Sequence, residues 1–491
     1  MDQSLILLIT MALPLVAGAF FAFNPLETKW SLRLNSFIQF ITLTIIGYFF
    51  LEVLDKTSLS FFDNFLRIDS LSSLYLLITG LCSFLTSLYS QIYFNKEALS
   101  SSVVRNFLSL WNLTLSMSIL VLSANNIALM WVALEATTVF SAFLICAQKS
   151  KKSLEAMWKY LILCTIGVAF AFIGTLLIRV SAQNLQVPLN DILLWTTLNE
   201  YAPILQTSFV KAGFIFLLVG YGTKAGIAPM HTWMPDAYSH APAPLGALSS
   251  GILINLAVYA LARFIPIAEK ATLFSGWAHH LLIIMGLITL VVATAFILFQ
   301  QNIKRLLAYS SIEHIGIITL SFGVPGAGVF AGLYHTLNHA LAKSFAFFCV
   351  GRLRQIYGTL DINGFGSTMK VSRTWGTGFL VAILTLIGAA PFAIFMSKLQ
   401  VFKSLIETSN WLPLLVLGAA SSLIFISILR YVLNICWKTD KTETPHEPCS
   451  HYERVLVLFI IVILVLFCLW LPKELRDTMQ RASGIITGVQ Q

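Results

Sequence analysis

Charged residues are scarce in this sequence. They make up 11% of its 491 residues, whereas a soluble domain carries about a quarter. This shortfall excludes an ordinary soluble globular domain, and the 57% hydrophobic content excludes an intrinsically disordered chain. The net charge of +9 is spread over many short polar segments rather than gathered in one patch. It therefore gives no indication of nucleic-acid binding.

Recognisable metal, nucleotide and nucleophile motifs are also absent. The seven cysteines are scattered, with no Cys-x-x-Cys pair and no cysteine–histidine set at the spacing of a zinc or iron–sulfur site. Glycine-rich phosphate loops and nucleophile elbows are missing too. We therefore expect no catalytic or redox centre, no metal and no cofactor on this chain.

Apolar segments of membrane-spanning length fill most of the chain instead. A helix that crosses a bilayer needs about 20 predominantly apolar residues, and polar breaks divide the sequence into fourteen such runs. We predict an all-α polytopic membrane protein of about 14 transmembrane helices. Their predicted limits are 4–23, 32–54, 70–93, 106–123, 126–147, 156–179, 209–229, 244–266, 280–300, 303–322, 327–351, 376–403, 411–436 and 454–471.

Lysine and arginine are distributed unevenly between the two faces that these spans define. Segments after odd-numbered spans, the seventh excepted, hold eighteen of these residues, and the opposite face holds ten. Because short cytoplasmic loops are enriched in lysine and arginine, both termini are predicted to lie outside. The three remaining lysines, Lys224, Lys343 and Lys398, fall inside predicted spans.

Two glutamates join these lysines inside the predicted membrane region. A charge at mid-bilayer costs about 2.5–3.5 kcal/mol on insertion scales, so each one needs a partner, water or a function. Glu135 is flanked by apolar helix on both sides. Glu135 is either one partner in a structural ion pair or a carboxylate that titrates under the influence of a movable lysine. For Glu313, a structural and a functional role both stay open.

Lys224 coincides with a predicted interruption of the seventh span. Gly222, Gly226 and Pro229 surround it, and such residues weaken the helical hydrogen-bond ladder. Backbone freed at membrane depth must face protein or a wet cavity. Since a buried lysine changes its protonation state readily, an interrupted helix with a lysine at the break is typical of a transport site. The alternative is a lysine that snorkels from a helix end.

The eleventh span contains three ionisable residues at helical spacing. His335, His339 and Lys343 lie at i, i+4 and i+8 and so share one helix face. A polar stripe through an apolar helix should face protein, and histidine, whose ordinary pKa is near 6.5, suits a proton relay. Core histidines with satisfied hydrogen bonds are the alternative. A zinc site at the two histidines lacks an acidic or cysteine partner nearby in sequence.

A second broken span carries Lys398. Gly388 and Pro391 interrupt it, five spans after the interruption near Lys224. An odd offset inverts one segment relative to the other, and paired broken helices in inverted halves indicate a transporter core. Spans 4–8 and 9–13 are the predicted halves. The predicted units are residues 1–104, 105–266, 267–436 and 437–491.

Three segments resemble one known family of membrane proteins. GYGTKAGIAPMHTWMPDAYSHAPAPLGALSSG, QQNIKRLLAYSSIEHIGI and LYHTLNHALAKSFAFFCVG are similar to the signatures of the antiporter-like subunits of respiratory complex I, group 4 hydrogenases and multisubunit sodium/proton antiporters. The likeness runs from about residue 105 to 405. The SIEHIG and GILINLAVYAL segments are most similar to the hydrogenase-4 component F branch.

The resemblance implies two inverted five-helix repeats, each with one broken helix, and a proton path along the mid-membrane axis. Glu135 would pair with Lys224, and Lys159 would take the next step. In the eighth span, where many relatives carry a lysine or histidine, this chain has Ser249, Ser250 and Asn255. These side chains can order water but cannot hold a proton near neutral pH.

For the second half, the resemblance implies Lys343 with His335 and His339 as a relay and Lys398 as the exit group. Glu313 completes the predicted set. Because the eighth span has no lysine or histidine, either water carries the proton through the middle of the path, or the first half does not conduct.

The function expected from this resemblance is proton translocation within a larger energy-converting complex. Its partners would be membrane subunits of the same family, a peripheral redox or driver module and membrane lipid, but no nucleic acid. A subunit of a sodium/proton antiporter and a membrane subunit for inorganic carbon uptake are the alternatives, and a scaffold whose charges only bind neighbours is a third. Since the N-terminus lacks a transit-like, arginine-rich segment, we expect a bacterial inner membrane.

Overall fold

A computed structural model describes residues 3–97, 99–188, 190–437 and 448–488, and most of them are helical. The helices are numbered here in chain order. They are α1 (Gln3–Phe23), α2 (Thr28–Lys56), α3 (Ser70–Lys96), α4 (Ser101–Ser123), α5 (Ile127–Ile145), α6 (Lys151–Ser181), α7 (Trp195–Glu200), α8 (Thr207–Ala225), α9 (Trp233–His240), α10 (Ala243–Leu248), α11 (Ile254–Ala271), α12 (Trp277–Ile297), α13 (Ile303–Phe322), α14 (Ala327–Tyr357), α15 (Thr368–Val371), α16 (Arg373–Ile387), α17 (Ala393–Glu407), α18 (Trp411–Trp437), α19 (His451–Leu469) and α20 (Lys473–Thr487).

Smaller elements lie between these helices, among them a hairpin, a π-helical turn and two short 3-10 helices, Ala202–Ile204 and Ile362–Gly364. A hairpin of β1 (Ser58–Phe61) and β2 (Leu66–Asp69) links α2 to α3, with Ser58 opposite Asp69. A π-helical turn over Ser249–Leu253 joins α10 to α11. The sequence prediction missed both the hairpin and α20, which carries its polar and buried apolar residues on different faces.

Polar side chains cap the first turns of several helices, at positions between the apolar runs of the sequence. Asp69 accepts the backbone N–H groups of Leu71 and Ser72 at the start of α3. Asn126 and Asn302 do the same for α5 and α13. Since the first N–H groups of a helix lack partners within it, these caps hold the helix starts in place.

Ten helices in the described part of the chain are long and apolar enough to cross a membrane. They are α1 to α6, the α10–α11 unit, α12, α18 and α19. The helices at the periphery expose large apolar side chains, for example Leu415 and Ile426 on α18, which are 70% and 67% exposed. The α10–α11 unit and α14 lie in the centre and are almost entirely buried. Apolar residues outside and polar ones inside suit a multi-span membrane protein.

Both predicted interruptions occur, and they share a local sequence. α8 ends at Gly226 and α16 ends at Gly388, and both glycines adopt the left-handed conformation, with φ of 85° and 81°. Each glycine begins a Gly-x-Ala-Pro segment, with cis prolines at Pro229 and Pro391. The prediction of a break at Gly222 is wrong, because Gly222 lies within α8 and its carbonyl accepts the N–H of Gly226.

Several predicted positions differ from the structure. The unit boundaries after residues 104, 266 and 436 fall inside α4, α11 and α18. Three basic residues that were counted with loops are buried, namely Arg263, Lys304 and Arg352. Arg263 forms an ion pair with Asp69, and Lys304 donates to the Ala241 carbonyl. The loop lysines Lys438 and Lys441, and with them part of the predicted unit 437–491, lie outside the described residues.

Candidate functional site

Lys224 is buried at the end of α8, directly before the first break. Its ammonium donates to the Leu134 carbonyl at 2.6 Å and to the Thr137 and Thr138 hydroxyls at 2.7 and 2.6 Å. These three acceptors all lie on α5. An ammonium has three donors, so neutral oxygens satisfy Lys224 completely. It is buried rather than snorkelling from the helix end.

Glu135 lies on the same helix as these acceptors but forms no ion pair with Lys224 within 4 Å among the described residues. Its carboxylate accepts a hydrogen bond from the Thr165 hydroxyl of α6 at 2.9 Å. This pair is near the middle of both helices and close to exposed apolar side chains, including Val132 at 54% and Ile166 at 52% exposed. The direct Glu135–Lys224 pair that the resemblance implies is therefore absent. Glu135 is partly buried near the perimeter, with Oε1 bonded to Thr165 and Oε2 buried without a partner among the described residues.

Lys159 does not lie deep in the protein. Its ammonium is 2.7 Å from Glu155 and 3.2 Å from Asp236, and its side chain is 47% exposed. Asp236 also binds Arg305 at 2.5 Å. α6 begins at Lys151, five residues before the predicted span, so Lys159 belongs to a charged cluster near a helix end. The structure thus places it apart from the buried groups.

The centre of the chain contains Asn255, just after the π-helical turn. Its amide nitrogen donates to the Gly251 carbonyl at 2.9 Å, while its side-chain oxygen is buried without a partner among the described residues. Ser250 donates to the Gly246 carbonyl of its own helix. A buried amide oxygen without a protein partner is a position where a water molecule would bind.

A closed ion pair dominates the second half. Lys398 of α17 lies 2.9 Å from the Glu313 carboxylate of α13, and both side chains are buried. The lysine stem passes over the second break, since a Cβ placed on Gly388 would lie 3.1 Å from Lys398 Cδ. The break and the charge are thus in direct contact.

Three histidines lie next to this pair. His314 of α13 and His335 of α14 share a hydrogen bond of 2.9 Å, and His335 is also 2.8 Å from the Ser397 hydroxyl of α17. The ring of His339 lies 4.8 Å from that of His314, measured between centroids. The sequence prediction did not include His314 in the relay. The structure places it between the two predicted histidines.

Lys343 continues the stripe on α14. Its ammonium donates to the Leu307 carbonyl of α13 at 2.7 Å. His335, His339 and Lys343 are all fully buried and face α13 or α17 rather than the perimeter. The predicted common face of these three residues therefore points into the protein. No group of three or more metal-binding side chains occurs in the ranges that the structure describes.

The two break lysines occupy different places relative to their breaks. Lys224 precedes Gly226 by two residues, whereas Lys398 follows Gly388 by ten. Lys224 therefore ends the helix before its break, and Lys398 lies on the helix after its own. The two halves therefore supply lysines at positions that are not equivalent.

Comparisons with known proteins agree with the sequence motifs. The family model for "NADH:quinone oxidoreductase/Mrp antiporter, TM" matches residues 124–425. A hydrogenase-4 component F homolog of Methylacidiphilum infernorum (isolate V4) is 38% identical over 402 residues, which cover 81% of this chain and 82% of the relative.

Two solved structures share the fold. A chain of the membrane-bound sulfane sulfur reductase, an archaeal respiratory membrane complex, aligns with a TM-score of 0.88 at 24% identity and covers 99% of this chain and 98% of its own length. A chain of the Mrp complex from Dietzia sp. DQ12-45-1b aligns with a TM-score of 0.87 at 17% identity over the full length of both chains. The predicted resemblance is confirmed: this chain belongs to the NADH:quinone oxidoreductase/Mrp antiporter transmembrane family.

Proposed function

We propose that this chain is a proton-translocating membrane subunit of a larger energy-converting complex of the hydrogenase or quinone oxidoreductase type. The observation that carries the proposal is a set of buried acids and bases on α8, α13, α14 and α17, which the proposal joins into one row. Lys224, Lys343, Lys398, Glu313 and the three histidines have no role in packing an apolar core, and burying charges is costly. Moving a proton between them explains why they are there.

The two ends of the row differ in how they hold charge. Lys224 is surrounded by neutral oxygens, so its protonation responds to charges that approach from outside this set, Glu135 first among them. Lys398 is held by Glu313, so a proton arriving through the histidines disturbs a closed pair. A driver that changes the field at one end shifts protonation along the row without chemistry on this chain. We expect no cofactor here.

Water is needed to connect these groups. Several buried polar atoms have no hydrogen-bond partner among the described residues, namely the Tyr221 and Ser310 hydroxyls, Asn255 Oδ1, Glu313 Oε2 and both ring nitrogens of His339. Buried polar atoms in native proteins are nearly always bonded to protein or to ordered water. Water bound at these positions would carry the proton through the middle of the path, where relatives carry a lysine or histidine.

We further propose fourteen spans arranged as two inverted five-helix repeats, spans 4–8 and 9–13. The repeated Gly-x-Ala-Pro segments at Gly226 and Gly388 support this arrangement. Each segment lies between two helices, α8 and α9 in the first half and α16 and α17 in the second. The N-terminal unit would then comprise α1 to α3, with both termini outside a bacterial inner membrane.

A partner membrane subunit would cover the α5–α6 face. Glu135 and Thr165 lie on it among exposed apolar side chains, and a carboxylate facing acyl chains is expensive. The two solved relatives are likewise chains of multi-subunit complexes. Packing of a second subunit against this face would bury Glu135 and bring a neighbour's charges close to it.

The test uses the native complex reconstituted into vesicles with a pH-sensitive dye inside. Lys224→Ala and Glu135→Gln should abolish proton uptake while the complex stays assembled. Lys403→Ala is the control, because Lys403 lies on α17 but its side chain is 74% exposed. Full proton pumping by both test variants would refute the proposal.

The same preparation separates the alternatives. Activity that requires sodium at constant pH would favour a cation/proton antiporter. Copurification of a soluble zinc-containing partner without hydrogenase or quinone reductase subunits would favour inorganic carbon uptake. Retained activity after neutralising all three membrane lysines would favour a scaffold.

A further inference from the structure

We infer that Asp236 couples the two halves of the chain, so that the break next to Lys224 and the helix that bears Glu313 move as one. This inference rests on the proposed function and adds a positioning residue to it. Asp236 lies on α9, directly after the first break, and sequence reasoning gave it no role.

Asp236 binds one cation from each half. Its Oδ1 atom is 2.5 Å from the Arg305 guanidinium on α13, and its Oδ2 atom is 3.2 Å from the Lys159 ammonium on α6. A second contact reinforces the link, because the buried Lys304 donates to the Ala241 carbonyl at the end of α9 at 2.6 Å. α9 is thus attached to α13 at its middle and at its C-terminal end.

A short series of contacts connects α9 to Lys224. The indole N–H of Trp233, the first residue of α9, donates to the Thr223 carbonyl at 2.7 Å. That carbonyl belongs to the peptide bond that enters Lys224. Met234 packs directly over Gly226, where a side chain would collide with its terminal methyl group. A displacement of α9 therefore displaces the backbone at Lys224.

On the other side, α13 carries one group that reaches α9 of the first half and two that contact other helices of the second half. Arg305 binds Asp236, the Leu307 carbonyl accepts the hydrogen bond from Lys343, and Glu313 binds Lys398. These residues lie on one continuous helix. A shift of α13 that breaks the Arg305 contact would also alter the acceptor of Lys343 and the position of Glu313.

An ordinary surface ion pair is the simpler reading of this cluster, and such pairs contribute little to stability. Two features separate Asp236 from that case. Each carboxylate oxygen holds a cation from a different half, and the segment it belongs to contacts the backbone of Lys224. Glu155 provides the comparison, because it binds Lys159 at 2.7 Å within α6 and forms no ion pair with α13 among the described residues.

The first test is a double-mutant cycle on proton uptake by the reconstituted complex. Asp236→Asn and Arg305→Gln should each slow uptake at least about fivefold, as expected for coupling between sites. The double variant should be no slower than either single one, and Arg305→Lys should recover part of the rate. Glu155→Gln should match the parent. If uptake depends on Lys224 but Asp236→Asn matches the parent, the coupling role is overturned.

The second test does not depend on proton transport. In the assembled complex, hydrogen exchange of the α17 peptide Ala393–Glu407 is compared between Glu135→Gln and the parent. We expect a difference, and we expect Asp236→Asn to remove it. A merely structural role would change the baseline exchange but leave the Glu135-dependent difference. That outcome would overturn the coupling. It would do so even if the uptake experiments had shown no dependence on Lys224 and the proposed function had failed.

Discussion

The Lys398 ammonium lies 2.9 Å from the Glu313 carboxylate, 85 residues away in sequence. Lys224, the other break lysine, has only neutral oxygens around it. Lys398 thus belongs to a buried ion pair, whereas Lys224 is held by neutral oxygens alone. The two ends of the path therefore respond differently when a neighbouring charge moves.

Breaking the Glu313–Lys398 pair should destabilise the protein strongly. Glu313→Gln leaves a buried ammonium without its carboxylate, which costs about 3–5 kcal/mol when one partner of a buried pair is removed. Glu313→Gln combined with Lys398→Met removes both charges and should recover most of the stability. Thermal unfolding of the purified complex in detergent measures both. If the double variant were as unstable as the single one, the pair would not be the cause.

The hydroxyls around Lys224 should matter for transport. Thr137→Val and Thr138→Val together remove two of the three acceptors, and a hydrogen bond to a charged group contributes about 1.5–3 kcal/mol. The protonated form of Lys224 then loses stability, and proton uptake should slow at least tenfold. The matched control is Thr42→Val with Thr114→Val, whose hydroxyls donate only to their own helices. Equal rates in both double variants would contradict this role.

The sequence predicts best what depends on local geometry. Glycine and proline act within a few residues, so Gly226, Pro229, Gly388 and Pro391 could be recognised as breaks. The i, i+4, i+8 spacing likewise placed the α14 stripe on one face, because helical periodicity fixes that face. Gly222 was misassigned because, from the sequence alone, a glycine one turn before the end of a helix cannot be distinguished from a glycine at its end.

Contacts between distant segments could not be predicted. No periodicity indicates that Lys398 meets Glu313, or that Glu135 binds Thr165 rather than Lys224. Lys159 entered the predicted relay only through the family resemblance, and the apolar run of its span was predicted to start at residue 156. α6 instead begins at Lys151, since a polar first turn is compatible with a helix that projects beyond the bilayer.

A side chain at Gly388 should disturb Lys398 directly. Gly388→Ala meets two penalties, the left-handed φ of 81° and a Cβ that would lie 3.1 Å from Lys398 Cδ. Gly358→Ala isolates the first, because Gly358 has a φ of 69° and no atom within 4 Å of its Cβ position. The control should lose about 1–2 kcal/mol and keep its proton uptake. Gly388→Ala should lose a further 1–3 kcal/mol, about the cost of overpacking, and most of its uptake. Similar behaviour of the two variants would show that Lys398 does not need this space.

His314 should be required for proton transfer through the second half. It lies within hydrogen-bond distance of His335 and next to His339, so its loss separates the two histidines of the α14 stripe. His314→Asn keeps a polar side chain of smaller size but removes the imidazole, and proton uptake should fall at least about tenfold, since positioned acid–base groups contribute that much or more. His280→Asn is the control, because His280 is exposed and bonds only to the Gly276 carbonyl. An unchanged rate in His314→Asn would mean that protons pass from His335 to His339 through water alone.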